Sequence, residues 1–202
     1  MAGPSIEFWQ SRFESGSTPW DRGGPNPQLQ RWLDEGAVGA QDHVLVPGCG
    51  RGWEVAALAE HGLRVTGIDY APAAVQACRT LLQARGLQAQ LCEADVLEWA
   101  PDAPVDVIYE QTCLCALHPD HWQRYAAQLH AWLKPGGRLL ALFAQALSEE
   151  AGQGFVSGPP YHCDIHAMRA LFPATQWQWP KPPYPRVATG PAAELAVVLQ
   201  RT

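Results

Sequence analysis

Three glycines spaced two apart, Gly48, Gly50 and Gly52, follow the apolar run Val44–Val46 in VLVPGCGRGWEVAALAEHG. A helix-like pattern follows them. A strand, such a loop and then a helix brings bare backbone to a helix N-terminus beside a sheet, where a nucleotide-like ligand can touch the main chain. A tight turn also requires glycine, so the loop alone is open to both readings.

Two carboxylates narrow the choice. Asp69 ends the next apolar strand, 21 residues after Gly48, and can accept hydrogen bonds from both hydroxyls of a ribose. Asp95 follows the strand after that, in EADVLEW, and can accept from the exocyclic amine of an adenine. Either aspartate by itself is an ordinary loop or cap residue. Together, at the ends of consecutive strands, they describe a ribose-plus-adenine site. A dinucleotide fingerprint wants a third glycine where Trp53 stands, and there is no GK[ST] for a phosphate loop. S-adenosylmethionine has adenosine and no phosphate, so it is the expected cofactor and S-adenosylhomocysteine the expected product. A nicotinamide-dependent oxidoreductase and a non-catalytic sensor of S-adenosylmethionine are the alternatives.

The elements around these residues alternate. Ile6, Trp9 and Phe13 are spaced for a short helix, the run GSTPWDRGGPNP is loop, and Asn26–Pro27 reads as N-cap and first position of a second helix closed by Gly36. Strands are expected at 43–47, 64–68, 88–92, 105–110 and 138–144. Helices are expected at 52–61, 72–85, 119–133 and 164–172. Such alternation predicts an α/β fold with a mostly parallel sheet and helices on both faces. Two last strands, 177–179 and 194–199, have no helix between them and should form an antiparallel hairpin at one edge across PKPPYP.

The chain has 202 residues, 47% hydrophobic and 17% charged, so one globular domain over 1–202 is expected. A net charge of −6, with 14 scattered Lys and Arg, argues against nucleic acid as partner. The N-terminus MAGPSIEFWQ does not read as a signal peptide, and no run of about 18 apolar residues is present, so no membrane partner is expected. Six cysteines without a CxxC pair fit reduced thiols and a cytoplasmic location.

The quoted glycine-loop segment, continued through LRVTGIDYAPAAV and with DVLEW, is similar to class I S-adenosylmethionine-dependent methyltransferases. FWQSRFESGSTPWDRGGPNPQL and GPPYHCDIHAMRALF resemble the thiopurine methyltransferase-like family, which includes thiol and halide methyltransferases. The resemblance runs from about Phe8 to Arg201. It implies a Rossmann-like seven-stranded sheet, a monomer, and an N-terminal helical lid, residues 1–36, whose Trp9 and Trp20 close over the cofactor. Phe13 stands where plant-type members often carry tryptophan. Carried over by position, the cofactor contacts are Trp9, Trp20, Gly48, Gly50, Asp69, Tyr70, Asp95, Val96 and Gln111. An indole near the sulfonium contributes about 1 kcal/mol, although Trp9 reads equally as a staple for the N-terminal segment.

Methyl transfer is an in-line displacement that needs alignment and a dry pocket, with no covalent nucleophile. The acceptor is expected to be a small molecule, its sulfur a thiol or thiol-like group, with halide, selenium or tellurium species as further options. Glu110 and Gln111 in IYEQTCLCALHPDHW are the candidate catalytic pair. Relatives acting on thiopurines resemble Asp-Arg here, and plant halide and thiol relatives Asp-Tyr. Glu110 could accept a proton, hold the cofactor's ammonium, or make only a strand-end hydrogen bond. Cys113 and Cys115 point the same way if the chain is extended, towards an acceptor pocket or into apolar packing. His118, His121, His162, Cys163 and His166 invite a metal reading, but capping, surface or pocket-edge roles fit them better and no metal is expected.

Overall fold

The computed structural model describes residues 3–154, 156–188 and 192–202. In chain order the elements are α1 (Ile6–Ser15), α2 (Pro27–Asp34), β1 (His43–Pro47), α3 (Trp53–Glu60), β2 (Arg64–Asp69), α4 (Pro72–Arg85), β3 (Gln90–Glu93) and β4 (Val105–Gln111). They continue with α5 (Cys113–Ala116), a 3-10 turn (Pro119–His121), α6 (Trp122–Trp132), β5 (Leu133–Gln145), α7 (Glu149–Gly152), α8 (Ile165–Leu171), β6 (Trp177–Gln178), β7 (Arg186–Val187) and β8 (Ala193–Arg201).

The strands form one sheet in the order β3-β2-β1-β4-β5-β8-β6. The first five are parallel and β8 runs antiparallel to β5. The chain reverses direction across the sheet at β1, where β2 lies on one side and β4 on the other. Ligands of open α/β sheets bind outside the strand ends at such a point.

Side chains alternate across the sheet. Val107 and Tyr109 of β4 join Leu140 and Leu142 of β5 in a core with Leu29 and Trp32 of α2, Val55 and Leu58 of α3, and Cys78 and Leu82 of α4. Ile108, Leu139, Ala141 and Phe143 face the other way, against Tyr125, Leu129 and Trp132 of α6 and Met168 of α8. The parity puts Gln111 on the first face and Glu110 on the second.

Local chemistry sets the helix ends. Asn26 Oδ1 accepts from the amide of Gln28 at 2.9 Å, with Pro27 in the first turn. α4 also opens on a proline and stops at Gly86 in a left-handed conformation, φ 65°. Asp164 caps α8 through the amides of His166 and Ala167.

The expected edge hairpin is more broken than the sequence reading allowed. Trp177 and Gln178 pair with the C-terminal end of β8, whereas Arg186 and Val187 pair with its beginning. Two short strands share one edge position, so eight strands fill the seven places of the sheet. Pro180, Pro182, Pro183 and Pro185 lie between them and cannot donate to a ladder, so pairing lapses there. The stretch Cys113–Ala116 is helical, so Cys113 and Cys115 are not on an extended segment.

Candidate active site

A cavity of about 1520 Å³ opens at the C-terminal ends of β1, β2 and β4. Nine expected site residues line it: Trp9, Trp20, Gly48, Gly50, Asp69, Tyr70, Asp95, Val96 and Gln111. Glu110 is not among the lining residues.

The glycine loop is built differently from the expectation of free amides facing a ligand. The amide of Gly50 donates to Asp69 Oδ2 at 3.0 Å, that of Cys49 to Ile68 O at 2.8 Å, and that of Gly52 to Cys49 O at 2.9 Å. The first two of these bonds pin the loop to the end of β2, and the third closes the loop on itself. All three glycines are left-handed, with φ of 60°, 51° and 81°. A Cβ on Gly48 would lie 2.9 Å from Cys113 Cβ, and one on Gly52 only 2.1 Å from Cys78 Sγ. Those two glycines admit neighbouring helices. Gly50 faces only the ring of Phe13, at 3.5 Å from the place of its missing Cβ. Its missing side chain leaves the cavity floor open.

Asp69 is 8% exposed, and its other oxygen accepts from Ala71 N at 3.0 Å. Burial raises its pKa, opposed by these amides. Each carboxylate oxygen retains capacity for a second hydrogen bond. Asp95 is exposed on the cavity wall, and its Oδ1 accepts from Leu97 N at 2.8 Å. Val96 beside it is buried. An acceptor-only carboxylate at each of two strand ends, with an open glycine floor between aromatic walls, fits an adenosine that offers hydroxyls and an amine.

The opposite wall is N-terminal. Trp20 packs edge-on against Trp9 at 5.4 Å and Phe13 at 6.0 Å, and Phe8 packs edge-on against Trp9 at 5.0 Å. All four rings line the cavity. The two readings of Trp9 are therefore compatible: it packs against its neighbours and faces the cavity. α1 is held to the body where Gln10 Oε1 accepts from Ala73 N at 2.9 Å and the Tyr70 hydroxyl donates to Pro4 O at 3.4 Å.

Glu110 is buried at the end of β4 and does not line the cavity. Its Oε1 accepts from Leu114 N at 2.7 Å at the start of α5, the strand-end bond considered for it above, and burial raises its pKa to about 7. Of the candidate catalytic pair, the structure therefore puts only Gln111 in the cavity lining. Gln111 does face the cavity, held by the Tyr109 hydroxyl at 2.8 Å and by Glu194. Cys113 and Cys115 line it too, with thiol pKa values pushed well up by burial.

Sequence reasoning missed Glu194, Arg22, Glu54 and Asp21. Asp21, Arg22 and Glu54 lie inside the quoted segments but carry no spacing signal of their own, and Glu194 lies outside them. Asn26 N donates to Glu54 Oε1 at 2.9 Å and its side chain to Glu194 Oε2 at 2.9 Å, so the cap of α2 is also a junction between α3 and β8. Among the described residues no group of three or more His, Cys, Asp or Glu could hold a metal ion, and no helix is long and apolar enough to cross a membrane.

Sheet order, switch-point crevice and paired strand-end carboxylates define a Rossmann-like fold of the methyltransferase type. A structure described under the conversion of a disulfide bond into a thioacetal group during echinomycin biosynthesis superposes with a TM-score of 0.78 at 23% identity, over 98% of this chain and 93% of that one. The 1,6-didemethyltoxoflavin-N1-methyltransferase of Burkholderia thailandensis, with S-adenosylhomocysteine bound, gives 0.75 at 22% identity, over 98% and 87%. Residues 5–182 match the model of the thiopurine S-methyltransferase family, and the chain belongs to that family. It is 32% identical to probable thiol methyltransferase 2 of Arabidopsis thaliana, over 82% of this chain and 71% of the relative. It is 28% identical to a thiopurine S-methyltransferase of Vibrio parahaemolyticus, over 82% and 81%. The protein is thus an S-adenosylmethionine-dependent methyltransferase, and the nicotinamide alternative falls.

Proposed function

We propose that the chain is one domain, residues 1–202 with 1–36 as lid, that methylates the sulfur of a small thiol or thiol-like acceptor. The observation that carries the donor's seat is that Asp69, Asp95, Gly50, Trp9 and Trp20 line one cavity. S-adenosylmethionine supplies a methyl group already activated by the sulfonium charge. Asp69 accepts from the ribose hydroxyls, Asp95 from the adenine amine with Val96 against the ring, and Trp9 and Trp20 exclude water from the reacting end. Indole faces near a desolvated cation contribute about 1–2 kcal/mol.

Sulfur as the acceptor atom is supported by the family and by relatives named for thiol, thiocyanate and thiopurine methyl transfer. It is also supported by the wall. Phe8, Phe13, Cys113, Cys115 and Leu117 give a soft, weakly hydrating surface. Charge is neutralised as a thiolate attacks a sulfonium, so such a site favours the step. Glu110 lies outside the cavity lining, and a thiol near pKa 8.5 reaches the anion by its own acidity where an alcohol does not. Halide, selenium and tellurium species meet the same requirement.

Methyl-labelled S-adenosylmethionine, offered with benzenethiol, thiocyanate, iodide and benzylamine, tests the reading. Label should pass to benzenethiol and not to benzylamine. Transfer to the amine alone would overturn it, and tight cofactor binding without turnover of any acceptor would favour the sensor.

A further inference from the structure

Glu194, on the antiparallel strand β8, is 3% exposed and gathers three side chains from distant parts of the chain. Arg22 Nη2 donates to its Oε2 at 3.0 Å and Asn26 Nδ2 to the same oxygen at 2.9 Å. Gln111 Nε2 lies 3.1 Å from Oε1 and 3.3 Å from Oε2. An ionised carboxylate only accepts, so the Gln111 amide must turn its NH2 group towards Glu194. Its Oε1 then takes the Tyr109 hydroxyl at 2.8 Å and keeps one lone pair for the cavity. Burial raises the pKa of Glu194, opposed by Arg22 and by these hydrogen bonds. Gln111 and Arg22 line the cavity, and Glu194 does not.

We propose that Glu194 is a positioning residue for methyl transfer. It fixes the orientation of Gln111 at the tip of β4, and through Arg22 and Asn26 it ties residues 22–26 of the lid to the same point. The proposal rests on the reading of this cavity as the transfer site. A glutamine at 194 places an NH2 group among three donors and should scramble the arrangement, whereas an aspartate keeps an acceptor-only group one methylene further back.

The test uses the full chain carrying Glu194→Gln, Glu194→Asp, Gln111→Ala and the Glu194→Gln/Gln111→Ala pair, with benzenethiol as acceptor. Glu194→Gln should lower kcat/KM at least 10-fold, and Glu194→Asp should recover most of that loss. In the Gln111→Ala background the same change should cost less than 3-fold, because orienting Gln111 is the route by which Glu194 acts on kcat/KM, whereas the tie to residues 22–26 acts on the lid's stability. Losses that multiply in the double variant would overturn the proposal. Should the wild type turn over no acceptor, the functional reading fails separately. Glu194 is then judged by amide exchange of residues 20–26 with S-adenosylhomocysteine bound: at least 10-fold faster exchange in Glu194→Gln supports the tie, and unchanged exchange refutes it.

Discussion

The indole N–H of Trp53 donates to Asp21 Oδ1 at 2.8 Å. Trp53 opens α3, and Asp21 follows Trp20 in the loop between α1 and α2. Arg51 Nε approaches the other oxygen of Asp21 at 2.7 Å. The residue standing where a dinucleotide fingerprint wants glycine therefore clasps the N-terminal segment over the cavity, a role invisible in the glycine motif.

Asp21→Ala removes the Trp53 hydrogen bond and the Arg51 ion pair of this clasp, together with the acceptor for Gly23 N at 2.8 Å. The dissociation constant for S-adenosylhomocysteine should rise roughly 5- to 10-fold, the worth of about one net hydrogen bond, while the thermal midpoint moves little. Calorimetric titration and a melting curve check this; unchanged affinity would reduce the clasp to surface packing.

Asp69→Ala removes the acceptor for Gly50 N and Ala71 N together with the proposed ribose contact. Affinity for S-adenosylhomocysteine should fall by about 1–3 kcal/mol, measured by the same titration. Binding equal to wild type would remove Asp69 from the ribose site.

Gly52 and Gly62 are both left-handed, at φ 81° and 75°, but only Gly52 has a neighbour where a Cβ would go. Gly62→Ala should cost about 1–2 kcal/mol from backbone conformation alone. Gly52→Ala adds the collision with Cys78 and should cost about 1–3 kcal/mol more. Urea denaturation of the two variants compares them directly, and equal losses would contradict the packing of α4 on the loop.

Glu110 gives a pH prediction with a definite sign. Its folded pKa of about 7 is raised above the usual 4.5, chiefly by burial. The native state therefore holds a proton that the unfolded chain has released between those values. This contribution to stability is fully present below pH 4.5 and is lost as pH rises through 7. At 1.36 kcal/mol per unit the loss amounts to about 3 kcal/mol. Glu110→Gln keeps an acceptor for Leu114 N and cannot ionise. Asp69, Glu54 and Glu194, whose pKa values burial also raises, slope the same way in both proteins. The difference between variant and wild type, measured by urea denaturation at pH 5 and 8, isolates Glu110. The variant should gain relative stability at pH 8, and a difference independent of pH would contradict the buried placement.

Much of the frame was legible because its signals are local. β1 at His43–Pro47 and α4 at Pro72–Arg85 fall where an apolar run, a proline and a terminal glycine place them. Asp69 and Asp95 were legible because strand ends position them. The acid-amide pair was harder, since which of Glu110 and Gln111 faces the cavity depends on the parity of β4 within the sheet. Cys113 and Cys115 belong to a four-residue helix too short to show a period. Glu194 was out of reach: its partners Arg22, Asn26 and Gln111 lie 172, 168 and 83 residues away, and only the folded chain brings them together. The split edge strand was hidden in the same way, because proline shows where pairing lapses and not where it resumes.

The most direct measurement is a crystal structure of the full chain with S-adenosylhomocysteine bound. Its ribose hydroxyls should lie within about 3.2 Å of the Asp69 carboxylate, its adenine amine should reach Asp95, and the Trp9 and Trp20 rings should cover its sulfur. A ligand bound elsewhere, or seated here with Asp69 still bonded only to Gly50 and Ala71, would contradict the proposed seat.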